Sequence, residues 1–465
     1  MTGSKNSLGS TRPLDNTRPG PRSASSPLTA PDRDHGGGVV AQTPSVRGGV
    51  RSAPVRGLTP RDDGKILCRT SERSGVNDAY VIGAGQTPFG AMPGESYRSL
   101  FASAVDAAVA GVETGIDRDD IDEVIVGSLG VGGRQLGLSA PAATEHLGLD
   151  GVPSTRVENA CAASGYAVRQ AVQAVKSGMA DVALAGGVEL MTDMSNDVTK
   201  YWLGVSGETE WERLTGTTFA GVYAQMASAY LDRYDATPED LSLVSVKNHA
   251  NGATNPKAHL DFECSLAEAT DAPTVADPLT LYHCCPTSDG AAAVLVASGD
   301  VVDEYTSERV RVAGVGAASD RVGLFQRESY TSITAAERAG QRAYERAGVG
   351  PAALDFAEVH DCFAIAELLA YEDLGFCERG EAPELLAAGR TDPDGALPVN
   401  TSGGLKSKGH PIGATGAGQL TEAFDQLTGA AGDRQVPDPT YGLTHNVGGS
   451  GGAAVVHILA REGRA

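Results

Sequence analysis

The chain has 465 residues, enough for two or three domains at roughly 150 residues each. Its 37 Lys and Arg against 59 Asp and Glu leave a net charge of −22, the wrong sign for a protein that holds nucleic acid by neutralising phosphates. Seven cysteines, an odd number at irregular spacings, argue against a disulfide framework and for a reducing cytosol.

The charge is uneven along the chain. Residues 1–75 carry 12 cations and 6 anions, so residues 76–465 hold a net −28. Only 8 of the cations are lysine, and a Lys-poor acidic surface is expected of a protein that stays soluble in concentrated salt, because net charge bears on solubility and association. Residues 1–76 are rich in Ser, Thr, Pro, Gly and Arg without apolar periodicity. They are expected to form a disordered extension, since they cannot bury enough surface to offset chain entropy. Their prolines and the Gly36 to Gly38 run oppose an amphipathic presequence, and an over-long reading frame with folding from near Val76 is as good a reading as a functional tail. No window of about 20 apolar residues is present to span a membrane, and the N-terminus lacks an apolar signal core. A cytoplasmic location is the expectation.

At Ala79 the texture changes. AYVIGAGQTPFG reads as a buried strand and its exit loop; it evokes a dinucleotide fingerprint, but Pro88 stands where the third glycine of G-x-G-x-x-G belongs. A small-residue helix over Tyr97 to Thr114, a strand over Ile121 to Gly127, a helix over 161–177 and a strand over Asp181 to Gly187 follow. An internal repeat then organises the rest. DGAAAVLVASG from Asp289 echoes GGAAVVHILAR from Gly451, AYVIGAG at 79 matches RVRVAGVG at 309, and IDEVIVG at 121 matches LDFAEVH at 354. Two related α/β halves are implied, over 77–300 and 301–465. The first carries an insert over about 192–280 that holds both tryptophans and lacks strand-helix alternation. A long insert at a strand end is expected to build a lid or binding pocket.

Four segments could carry chemistry. Cys161, in VENACAASGYAVRQAVQAV, opens a predicted helix of small residues whose free N–H groups and dipole would lower a thiol pKa; taken alone, the segment favours a buried structural cysteine. EVHDCFAIAELL places His360 and Cys362 two residues apart at a strand-to-helix junction, where both can face one pocket. Zinc is the rival, but Cys377 is isolated and His283, Cys284 and Cys285 are too crowded to ligate one ion together, so no metal site is expected. NTSGGLKSKGHPIGATG embeds His410 among glycines where a phosphate loop would need lysine, which suggests close backbone approach to a ligand with the imidazole as base or donor. THNVGGSGGAAVV, finally, reads as a glycine turn whose N–H groups can form half of an oxyanion hole, or simply as a turn leading into a strand.

These four segments occur in the order and approximate spacing of the thiolase family, and the sequence from Ala79 onward resembles it. The His-Asp-Cys-Phe form at 360–363, where biosynthetic thiolases have Asn-Glu-Ala-Phe, is similar to the branch of sterol-carrier-protein thiolases and archaeal acetyl-CoA acetyltransferases; with the salt-adapted composition, a haloarchaeal member is implied. The resemblance implies an α/β thiolase fold of two βαβαβαββ halves in five αβαβα layers with an inserted loop domain. It implies Cys161 as nucleophile, His410 as the base that takes the thiol proton, His360 completing the first oxyanion hole with His410, and the N–H groups of Cys161 and Gly448 forming the second. Asn446-Val447-Gly448 stands where biosynthetic thiolases place an acid/base cysteine in Cys-x-Gly; in the HDCF branch that role falls to the cysteine within HDCF, here Cys362.

The implied activity is reversible thiolysis and Claisen condensation of 3-ketoacyl-CoA, acetyl-CoA forming acetoacetyl-CoA, with CoA thioesters as substrates and no permanently bound cofactor. Two other readings stand beside it: a ketoacyl synthase, whose cysteine is paired with His-His or His-Asn, and an idle acyl-CoA-binding subunit that should have lost one of the four groups. The resemblance also implies a homodimer or dimer of dimers and, in this branch, a small partner with a zinc ribbon and an OB-type fold.

Overall fold

The structure, a computed structural model, describes residues 77–463 with the exception of residue 135; the extension expected over 1–76 lies outside them. The chain enters strand β1 (Ala79–Gln86), then helix α1 (Tyr97–Ala110), β2 (Glu123–Gly127), α2 (Ser139–His146), β3 (Ser154–Val157), α3 (Ala163–Ser177) and β4 (Val182–Glu189). A long excursion follows, holding α4 (Asn196–Gly204), α5 (Phe219–Tyr234), α6 (Pro238–Ala253), α7 (Leu266–Thr270) and the short antiparallel pair β5 (Thr274–Ala276) and β6 (Leu279–Thr280). Strand β7 (Gly290–Ser298) returns to the main sheet. The pattern then recurs as β8 (Arg309–Ser319), α8 (Thr334–Ala347), β9 (Phe356–Glu358), α9 (Ala364–Asp373), α10 (Ala382–Ala387), α11 (Gly404–Ser407), α12 (Thr415–Thr428), β10 (Tyr441–Gly448) and β11 (Ala453–Glu462).

The strands lie in the order β3-β2-β4-β7-β1-β8-β11-β10-β9. Read from the middle outward, the two sides mirror each other: β1 answers β8, β7 answers β11, β4 answers β10 and β2 answers β9, as the repeated segments require. The fifth strand of the second copy shrinks to a single parallel bridge between Ala357 and Val399. The two copies join through only two pairs, Tyr80 with Arg311 and Val81 with Val310.

Side-chain alternation on the strands sorts the core into three apolar layers. On β1, Tyr80 and Ile82 face α1 and α2, whereas Ala79 and Val81 face α3 and α12. On β11, Ala454, Val456 and Ile458 face the opposite way, toward α8 and α9, while Leu459 faces the middle. The result is helices, sheet, paired central helices, sheet, helices: the thiolase arrangement, with the central layer made by α3 and α12. Those two helices come unusually close. A Cβ at Gly416 would lie 2.4 Å from the Gly165 nitrogen and 2.3 Å from Asn446 Oδ1, so only glycine fits there. The insert carries α4 to α7 and the two short strands, and its Leu203, Phe219 and Tyr223 line the cavity in which candidate groups converge.

Candidate active site

The predicted helix at Cys161 begins two residues late. Ala160–Ala162 form a 3-10 turn, α3 starts at Ala163, and Ala160 sits at φ +50°, a left-handed conformation that costs a non-glycine residue on the order of 1 kcal/mol and is kept where the surroundings fix it. The turn lifts the thiol out of the helix barrel and into a cavity of about 120 Å³ lined by Cys161, Cys285, Cys362, His410, Tyr223 and Gly449 among others.

His360 and Cys362 leave the end of β9, and Asn446 lies near the end of β10. The parallel register Thr444 with Glu358 sets Asn446 beside His360. Asp361, between the two candidates, points the other way: its carboxylate accepts from the Leu405 and Lys406 N–H groups at 2.6 and 3.2 Å and from Asn248 Nδ2 at 2.7 Å. It thereby ties HDCF to α11 and to the loop that carries His410. His410 itself sits five residues before α12, its N–H donating to Ser288 Oγ at 3.2 Å.

Donor atoms of Cys161, His360 and His410 lie within 4.8 Å of one another. Hydrogen bonds assign opposite tautomers to the two imidazoles. The single Thr415 hydroxyl proton goes to the Pro411 carbonyl at 2.9 Å, so Thr415 Oγ1 accepts from His410 Nδ1 at 2.7 Å, and His410 Nε2 keeps a lone pair. Asn446 Nδ2 donates to the Cys161 carbonyl at 3.0 Å, which orients the amide, and to His360 Nδ1 at 3.2 Å. The His360 proton therefore sits on Nε2, which is buried and has no partner. One imidazole can take a proton and the other can give a hydrogen bond.

Burial sets the charge state. It pushes the Cys161 thiol up to about 12, with Cys285 adding to the rise and the Gly449 N–H opposing it. This corrects the expectation from the helix N-terminus: desolvation outweighs the dipole, and the resting thiol is neutral. Burial holds His410 down to about 3, and burial with His410 and His445 nearby holds His360 well below the usual range. Cys362 is likewise raised by burial and by Cys161, with the neighbouring Tyr223 side chain opposing the rise. Of the crowded cysteines, Cys285 lines the cavity while Cys284 turns toward the Thr280 carbonyl, and His283 is engaged at both nitrogens by Ser242 and Thr280.

The glycine segment differs from the sequence reading in one place. Thr444 to Gly448 belong to β10, and Gly448 packs its Cα against the Asn159 carbonyl and does not line the cavity. Its neighbour Gly449, at φ +62°, begins the turn and aims its N–H at Cys161. Sequence reasoning also missed Cys285, Tyr223 and Thr415. Cys285 and Tyr223 reach the site from segments with no motif of their own, and Thr415 had a visible signal, a hydroxyl one helical turn after Pro411.

The family descriptions "Thiolase, N-terminal domain" and "Thiolase C-terminal domain-like" match residues 79–300 and 316–461. Acetyl-CoA acetyltransferase of Methanothermobacter thermautotrophicus is 42% identical over 388 residues, 83% of this chain and 100% of its own length. That of Methanocaldococcus jannaschii is 44% identical over 396 residues, 83% and 99% of the two chains. Among solved structures, "Ltp2-ChsH2(DUF35) aldolase" superposes with a TM-score of 0.71 at 27% identity, over 83% of this chain and 98% of that one. Two family descriptions that divide the chain where its repeat divides, and relatives aligned over nearly their whole lengths, agree with the αβαβα layering: the chain belongs to the thiolase family.

Proposed function

We propose that the protein is an acetyl-CoA C-acyltransferase that interconverts two acetyl-CoA with acetoacetyl-CoA and CoA through an acyl group on Cys161. The observation that carries this reading is the convergence of the Cys161 thiol, a lone pair on His410 and a buried N–H on His360, with Cys362 in the same cavity. The names of the archaeal relatives support acetyl-CoA as substrate.

His410 Nε2 takes the Cys161 proton as sulfur attacks the thioester carbon. Cys362 gives its proton to the departing CoA sulfur and is left as a thiolate. A thiol held well above its usual range yields a strongly basic thiolate, which suits the weakly acidic α-proton of the second acetyl-CoA. That proton returns Cys362 to the thiol, the carbanion attacks the acyl carbon, and the departing Cys161 sulfur recovers its proton from His410. His360 Nε2–H and protonated His410 serve one oxyanion; the N–H groups of Cys161 and Gly449, in place of Gly448, serve the other.

Four wider readings belong to the same proposal. Residues 77–300 and 301–465 form the two thiolase halves. The chain is a homodimer, supported by the unpaired edge of β3 and the exposed Leu136 and Leu138 beside it. A small zinc-ribbon and OB-fold partner is supported by the two-component name of the similar aldolase structure. A cytoplasmic, salt-adapted enzyme of lipid metabolism fits the acidic composition. Among the described residues no helix is long and apolar enough to cross a membrane.

Intact-mass spectrometry after incubation with acetyl-CoA tests the core of this. The protein is expected to gain one acetyl group, and Cys161→Ala none; an adduct persisting in that variant places the nucleophile elsewhere.

A further inference from the structure

Arg327 follows β8 in a loop no motif singles out, yet it is 9% exposed, and among the described residues it pairs with no carboxylate. A buried guanidinium without an anion is costly, and such charges are normally paired. All of its contacts are oxygens of the protein. Nε donates to the Arg321 carbonyl at 3.0 Å, Nη2 to the Val322 carbonyl at 3.2 Å and to Ser450 Oγ at 3.1 Å, and Nη1 to the Ser450 carbonyl at 2.5 Å. Half of the fork is thus spent on one residue, Ser450, which directly follows the Gly449 whose N–H faces the nucleophile. The next residue, Gly451, is packed so tightly that a Cβ there would lie 3.0 Å from Nη1.

The other side of the same turn is held from the insert. Tyr223, fully buried on α5, donates its hydroxyl to the Gly449 carbonyl at 3.2 Å and stacks on Phe363 with ring centroids 4.6 Å apart. Phe363 is the last residue of HDCF. The turn that carries the donor is therefore gripped at Gly449 by the insert and at Ser450 by a cation.

We propose that Arg327 is a positioning residue of the oxyanion hole: with Tyr223 it fixes the turn at 449–451, so that the Gly449 N–H meets the thioester oxygen, and its charge, unpaired in the resting protein, is matched by the negative charge that forms on oxygen and sulfur during acylation. The inference rests on the assignment of Cys161 as nucleophile. The groups that face Arg327 are Tyr223, Asp320 and Glu212, none close enough to pair with it, and those that face the thiol are His410, His360, Cys285, Cys362 and Glu189. Charge removal behind the turn therefore registers at Cys161 without a competing carboxylate in contact.

The test compares Arg327→Met, Arg327→Lys and Tyr223→Phe with the unchanged full chain. Two measurements are made on each: the rate of Cys161 acetylation by acetyl-CoA, and the pH profile of Cys161 alkylation by iodoacetamide. Arg327→Met is expected to slow acetylation by about 10-fold to 10²-fold, less than the 10²–10³-fold that follows outright loss of a donor, and to move alkylation to higher pH. Arg327→Lys, which keeps charge but not the fork, is expected to restore the alkylation profile and leave acetylation slow. Tyr223→Phe keeps the ring stack and is expected to slow acetylation and condensation by the same factor, which also covers the case in which Arg327→Met does not fold. Acetylation at the unchanged rate in Arg327→Met overturns the inference, as does an effect of Tyr223→Phe on condensation alone, which would place that hydroxyl on Cys362. No acetyl adduct on Cys161 in the unchanged chain would instead refute the nucleophile assignment itself.

Discussion

At the scale of single residues, the proposed mechanism divides the labour between two thiols and two imidazoles, and the division can be measured. Cys362→Ala is expected to leave acetylation of Cys161 in place and to lower condensation by about 10²–10⁴-fold, the usual contribution of a positioned acid or base. Asn446→Ala should act earlier: without Nδ2 nothing fixes the His360 tautomer, so acetylation itself should fall, where sequence reasoning assigned Asn446 no role. A condensation rate near normal in Cys362→Ala would move the acid/base role, with His445, buried behind His360, the next group to examine. The pH dependence has a definite sign. With the thiol raised to about 12 and His410 held to about 3, neither group titrates between pH 5 and 8. Iodoacetamide alkylation of Cys161 is expected to be slow and without inflection there, and to rise on the alkaline side as the thiolate forms. An inflection near pH 6.5 would mean that a thiolate and imidazolium pair exists at rest. The candidate residues were legible because Cys161 and His410 sit among small residues and glycines that suit close approach, and His360 and Cys362 stand two apart at a strand-to-helix junction. Their protonation was not, since desolvation depends on what the insert packs over them.

At the scale of elements, β1, β2, β4, β7, β8, β9 and β11 were readable from their short apolar runs, whereas β3 and β10 were not, and the repeat paired β1 with β8 and β7 with β11. What the sequence did not disclose is how closely α3 and α12 cross. Gly165 and Gly416 looked like ordinary small residues in small-residue helices, and their purpose exists only between helices some 250 residues apart in the chain. Gly416→Ala is expected to push the two helices apart, at about 1–3 kcal/mol for an overpacked contact, with a Tm lower by several degrees. It should also slow acetylation, because the new methyl lands on the amide that orients His360. A Tm and acetylation rate equal to the unchanged protein would show that the central layer yields without consequence. The glycine segment near the C-terminus was only half legible for a similar reason: Thr444 to Gly448 pair with β11, and Thr444 also with β9, a fact of register that a run of glycines conceals.

At the scale of the whole molecule, the net −28 on residues 76–465 opposes a compact state through self-repulsion. Thermal stability is expected to rise from about 0.1 M salt into the molar range, where the Debye length shrinks from about 10 Å to about 3 Å. Melting curves that do not move across that range would remove the salt-adapted reading and leave the acyltransferase untouched. The neutral thiol at the centre of this anionic body carries one more implication, for chemical durability. Peroxides and disulfides attack thiolates far faster than thiols, so on the proposed assignment a Cys161 that surrenders its proton only when a thioester is in place rests in the form that oxidants attack slowly. In that proposal the burial that makes Cys161 depend on His410 for activation would also preserve it between turnovers.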